Sequence, residues 1–121
     1  MEHVADPKAF VRILFDRLKP NGKLIITTPY NEKRQHSLCV HCNHPTPHHA
    51  HLHSFHEGNI ENLIPEGSSW IFQKFSNKYL AKLRLHGVLK YLPFSIWKSL
   101  DKMFNLLFGG EMRMLLSIEK I

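Results

Sequence analysis

Cys39 and Cys42, the two cysteines of the chain, stand among eight of its ten histidines, all between His36 and His56. Thiolates and neutral imidazoles are the donors that a borderline-soft ion such as zinc prefers, and a tetrahedral structural site takes about four of them. The two-residue gap in Cys39-Val40-His41-Cys42 lets both sulfurs turn toward one ion, so this pair is the natural first half of such a site. The second half must come from His44, His48, His49, His51 or His53. His48 and His51 repeat the two-residue gap, which makes Cys39, Cys42, His48 and His51 the expected metal set, with His53 as the substitute. Four protein ligands would give zinc a structural role, because a catalytic zinc keeps an open position. The same residues also read as a loose surface loop that takes up metal adventitiously, and the spacing alone leaves both readings standing.

A chain of 121 residues fits one domain, and an apolar share of 43% argues against general disorder. A formal net charge of +6 points to anionic partners: nucleic acid, an acidic membrane surface or an anionic cofactor. Nucleic acid is the least expected of these, since the Cys/His spacing departs from the zinc finger with its roughly 12-residue separation. Two cysteines do not make the disulfide framework of a small secreted protein, and in a reducing compartment they serve better as ligands. The opening MEHVADPKAF has neither the basic start nor the apolar run of a signal peptide. No apolar run approaches the roughly 18 residues of a membrane-spanning helix. The expected location is cytoplasmic, with peripheral contact to an anionic membrane left open.

The elements that must position these residues follow from local pattern. Asp6-Pro7 begins a helix, with Phe10, Ile13, Leu14 and Leu18 at helical spacing, and Pro20-Asn21-Gly22 ends it in a turn. Lys23 to Thr28 is a β-branched run without polar alternation, as suits a parallel strand buried on both faces. Neither helical nor strand periodicity survives from His36 to His53. Ser54 is placed to cap a helix reaching Leu63 or Ile64, with Phe55, Ile60, Leu63 and Ile64 inward. Ser69–Phe75 and Met112–Ile121 read as strands, Lys120 blunting an exposed edge. Between them, residues 78–108 form a basic amphipathic insertion that Gly87 and Pro93 divide into helical pieces. It suits a lid in which Phe94 and Trp97 pack on an apolar acceptor, an interfacial segment on anionic lipid, or ordinary core packing.

With these residues in view, the chain resembles the C-terminal half of class I S-adenosylmethionine-dependent methyltransferases. Glu2-His3-Val4-Ala5-Asp6-Pro7 resembles their EHV-x-DP stretch after the fourth strand. Leu18 to Pro29 resembles their LKPGG-x-L-x-x-x-P segment entering the fifth, with Asn21 where glycine is usual. Cys39, Cys42, His48 and His51-Leu52-His53-Ser54-Phe55 resemble the CxxC/His insertion of a family subset. The resemblance implies a partial Rossmann-like α/β sheet over residues 1–121 with antiparallel final strands, a Cys/His-rich insertion at 36–56 and the helical insertion at 78–108. It also implies S-adenosylmethionine as cofactor, near Glu2, His3 and Val4. His3 would then be a candidate base, Tyr30 and Asn31 would line the acceptor side, and a small-molecule or lipid-like acceptor would take the methyl group.

The six glycines include no glycine-rich turn after a first strand. The isolated chain is therefore expected to be a truncated, inactive domain unless a missing N-terminal half or partner chain completes it. The other expectation is a non-catalytic, zinc-stabilised interaction module.

Overall fold

The computed structural model describes the backbone of all 121 residues and every side chain except that of His86. Asp6 caps helix α1 (Pro7–Asp16), accepting the Ala9 N–H at 3.0 Å, and Pro7 supplies a first-turn position that needs no amide partner. The helix buries a different stripe from the expected one. Val11 and Phe15 are buried with Leu14 and Leu18 half-buried, while Phe10 and Ile13 remain exposed. Asn21 takes a left-handed conformation (φ 62°) in the turn that follows. Gly22 is required beside it, since a Cβ there would lie 2.7 Å from the Lys19 carbonyl oxygen.

Strand β1 (Lys23–Pro29) exists, but its expected setting is corrected. It is not a doubly buried parallel strand: it pairs antiparallel with the final strand, and its exposure alternates. Ile26 and Thr28 are buried, whereas Ile25 and Thr27 face outward. The partial Rossmann-like sheet is likewise replaced by an α/β fold with two small antiparallel sheets. One is the hairpin β2 (His36–Leu38) and β3 (Pro45–Pro47), inside the stretch where no element was expected. The other has β4 (Ser68–Asn77) and β5 (Glu111–Lys120) in the order β1-β5-β4. A β-branched run reports that a strand forms; partner direction is set by residues some ninety positions away, such as the Lys23–Glu119 and Leu24–Ile118 pairs.

The last strand is therefore central rather than an edge. Met114, Leu116 and Ile118 alternate along β5 with no exposed surface, and pack with Val11, Phe15, Ile26, Phe55, Ile60 and Leu63. One face of the sheet is thus covered by α1 and the 55–63 segment; Ile25 and Ile71 remain exposed. Lys120 has a task other than edge protection. Its ammonium donates to the Asp16 and Leu18 carbonyls and lies 5.4 Å over the Phe15 ring, closing the C-terminal end of α1.

Helix α2 (Glu57–Ile60) is a single turn leading into a 3-10 turn at Glu61–Leu63. Its cap is His56 rather than Ser54: the ring Nδ1 accepts the Gly58 N–H, and the Asn59 side chain accepts the His56 N–H. Residues 78–108 form α3 (Lys78–Lys82), α4 (His86–Leu89) and α5 (Phe94–Phe108). Pro93 precedes α5 as expected, but Gly87 lies within α4, and the turn between α3 and α4 contains left-handed Arg84 (φ 53°). Asp101 anchors α5 to β4, accepting the Ser76 and Asn77 amides at 3.0 and 2.7 Å while only 3% exposed. Among the described residues no helix is long and apolar enough to cross a membrane.

Candidate functional site

The N-terminal segment and the end of the histidine-rich loop are docked backbone to backbone. The Glu2 carbonyl accepts the Leu52 and His53 amides, at 2.8 and 3.3 Å. The Val4 carbonyl accepts His53 Nε2–H at 2.9 Å, and His3 Nδ1–H donates to the Ala50 carbonyl at 3.2 Å. These contacts set the His3 ring edge-on against His51, with centroids 4.8 Å apart. His51 in turn donates Nδ1–H to the Glu32 carboxylate at 2.6 Å.

Glu2, His3 and His51 consequently bring one ligand atom each to within 4.8 Å of the others. Among the described residues no further group of three or more such side chains converges this closely. Two residues read from the sequence as cofactor-facing, Glu2 and His3, thus meet one read as a zinc ligand. Burial pushes the Glu2 carboxyl upward, but its own backbone amide and the N-terminal ammonium at 3.3 Å outweigh this and hold it below the usual carboxylate range.

The other expected ligands lie elsewhere. His48 borders a cavity of about 210 Å³ with Glu32 and His51, but neither cysteine reaches it. Cys39 and Cys42 occupy the loop of the β2–β3 hairpin, closed by Cys39 N–H to the His44 carbonyl and Asn43 N–H to the Cys39 carbonyl, both 2.9 Å. Left-handed Asn43 (φ 57°) makes the turn. Backbone amides of His41 and Cys42, with the Cys42 thiol, point at the Cys39 sulfur and make it more acidic than an ordinary thiol.

A second cluster surrounds Tyr30, at the end of β1. Its hydroxyl donates to Glu57 at 2.6 Å, and Lys74 reaches Glu57 at 3.0 Å and Glu111 at 3.5 Å while lying 5.1 Å from the Tyr30 ring centre. The Tyr30 hydrogen bond, reinforced by Lys74, holds the Glu57 carboxyl at about 2 despite the upward push of burial. Burial and the hydrogen bond to Glu57 raise the Tyr30 hydroxyl in return. Asn31 takes no part: it is exposed in a left-handed turn (φ 46°), with its amide on the Phe55 carbonyl.

Glu32, Glu57 and Lys74 were not singled out by sequence reasoning. The signal for Lys74 was its place on a recognisable strand; nothing near Glu32 or Glu57 points to these pairings, because their partners are 19 and 27 residues away.

A cavity of about 340 Å³ lies between β4 and α5, lined by Lys74, Phe75, Trp97, Lys98 and Lys102 among others. Trp97 stacks on Phe94 with ring centres 5.6 Å apart. The whole of 78–108 contains one acid, Asp101, and its carboxylate is consumed by buried backbone amides. The exposed charged side chains of this segment are therefore cationic, among them Lys82, Arg84, Lys90, Lys98 and Lys102. The segment also leaves Tyr91, Phe94, Leu106, Leu107 and Phe108 more than half exposed.

Comparison with known proteins gives one family. The model described as "Methyltransferase domain" matches residues 1–66, more than half of the 121-residue chain. The chain belongs to this methyltransferase-domain family. The match corrects the extent read from the sequence: it covers the N-terminal half of the chain, up to the turn before β4. It is not a C-terminal remnant reaching through the last strands. No curated protein and no solved structure matches. The residues present do not by themselves fit S-adenosylmethionine. They include no glycine-rich turn, and Glu2, His3 and Val4 are engaged with residues 50–53 through carbonyls and ring nitrogens.

Proposed function

We propose that this chain serves S-adenosylmethionine-dependent methyl transfer to a lipid-like acceptor presented at an anionic membrane surface. Family membership supports the reaction class. The observation that carries the acceptor and its setting is the 78–108 segment, which exposes aromatic and leucine side chains together with lysines and no acid. Such a face gains from burying apolar side chains at the acyl boundary and from placing lysines near anionic headgroups. The cavity beside Trp97 carries Lys98 and Lys102 next to Asp101, whose carboxylate is taken up by backbone amides, and so offers an aromatic wall and two cations to an acceptor with an apolar body and an anionic head. The cofactor is held jointly with a chain segment outside these residues. The outer edge of β1 and the exposed Ile25 and Ile71 are where such a segment would dock.

The test is co-sedimentation with vesicles of neutral phosphatidylcholine, with and without phosphatidylserine. Binding is expected only to the anionic vesicles, is weakened by salt, and is lost in Lys98→Glu/Lys102→Glu. Equal binding to both vesicle types, or none to either, overturns the membrane setting. Titration of the same protein with S-adenosylmethionine is expected to give no saturable binding; one-to-one binding would show that the chain holds the cofactor unaided.

A further inference from the structure

We infer a divalent-metal site formed by Glu2, His3 and His51, taking an ion of the zinc class through two imidazoles and one carboxylate. Three features converge on it, none of which involves the cysteines.

The first is geometry: one ligand atom from each residue lies within 4.8 Å of the others, with Glu2 and His51 partly buried and His3 at the surface. The second is the orientation of the rings. His51 Nδ1–H is held by the Glu32 carboxylate at 2.6 Å, and His3 Nδ1–H by the Ala50 carbonyl at 3.2 Å. Each acceptor takes an Nδ1 proton, the arrangement in which a neutral imidazole carries its lone pair on Nε2. Metal-binding histidines are prepared in this way, the far ring nitrogen being tied to a carboxylate or backbone carbonyl. The third is the scaffold. The Glu2 carbonyl accepts two amides from the 52–53 backbone, and His53 clamps Val4, so residues 2–4 and 50–53 are joined before any ion binds.

The His3 Nε2 to Glu2 Oε1 separation of 3.9 Å is wide for a hydrogen bond and suits two donors facing one ion. Zinc–nitrogen and zinc–oxygen bonds run about 2.0–2.2 Å, so two ligands of one ion stand roughly 3–4 Å apart. Three protein ligands leave a tetrahedral ion one open position. A water or an oxygen of a bound molecule can occupy it, which distinguishes this site from a closed four-ligand structural one. The inference does not rest on the membrane reading, since the residues and the readout are separate.

The experiment is titration of chelator-stripped full chain, tagged only at the C-terminus, with zinc by calorimetry and with cobalt(II) by absorption. One equivalent of zinc is expected, and a cobalt spectrum without thiolate-to-metal charge transfer. Cys39→Ser/Cys42→Ser should keep its zinc affinity. His51→Gln should lose at least about tenfold, and Glu32→Gln, which leaves all three ligands in place, should weaken binding by about tenfold or more. Circular dichroism on each variant separates lost binding from lost fold, and Glu32→Gln keeps the test decisive if His51→Gln unfolds. Cobalt–thiolate charge transfer, affinity that disappears in the cysteine variant, or the absence of saturable zinc binding by folded wild-type chain would each overturn the assignment.

Discussion

The β1-β5-β4 sheet and the β2–β3 hairpin are both antiparallel, yet they are held in opposite ways. Along β5, Met114, Leu116 and Ile118 are sealed against α1 and the 55–63 segment. In the hairpin every residue of β2 is exposed, and the loop bearing the cysteines closes through backbone hydrogen bonds and a left-handed asparagine. The sheet is stable because apolar surface leaves water; the hairpin has little to bury and depends on polar contacts. Residues able to hold ions or protons sit where packing is light, and the buried sheet supplies the frame they hang from.

The comparison breaks most visibly at Leu116. Leu116→Ala should cost about 2–5 kcal/mol, since the side chain is wholly buried between Ile26 and Phe72 on the neighbouring strands. Leu38→Ala in the hairpin, at 62% exposure, should fall within about 0.5 kcal/mol of wild type. Denaturant unfolding of both variants reads the contrast directly, and equal losses would contradict it.

Asp101→Ala is the polar counterpart and the next largest effect. It strips two acceptors from backbone amides at the junction of β4 and α5, and should cost about 1–3 kcal/mol. Hydrogen exchange should show faster exchange at Ser76 and Asn77, with the β1–β5 amides unchanged. Asp6→Ala removes the cap of α1 and should cost about 1 kcal/mol, measured by denaturant unfolding.

Tyr30→Phe should have a smaller effect, under about 1 kcal/mol, because Glu57 is half exposed and water screens its charge. Its pH dependence sharpens the point. The Glu57 carboxyl titrates at about 2 in the folded chain against 4.5 ordinarily, so the folded state favours the carboxylate. The stabilisation is fully present above pH 4.5 and is lost as pH falls toward 2. The stability gap between wild type and Tyr30→Phe should close over that interval; a gap that widened on acidification would refute the assignment. Smallest of all, Cys39→Ser should leave metal-free stability unchanged, because the sulfur touches only its own loop.

Much of the framework was legible in the residues. The Asp6 cap, the turn at Asn21-Gly22, the segments of α1, β1, β4 and β5 and the methyltransferase kinship all rest on interactions or motifs contained within short windows. The site was legible only in pieces. Glu2, His3 and His51 were each marked, but under different headings, because 48 positions separate His3 from His51 in the chain. The role of Glu32 had no local sign at all.

The chain's own order of residues determined where helices start, where strands can form and which segments carry ligand-type side chains. These depend on backbone sterics, caps and neighbours within one turn. Only the tertiary structure decided that β5 enters between β1 and β4, and that α1 turns Val11 and Phe15 inward instead of Phe10 and Ile13. It alone buried the single acid of 78–108, and it alone brought His51 to Glu2 and His3. Each of these depends on which distant surfaces exclude water from one another, a property that no short window of sequence contains.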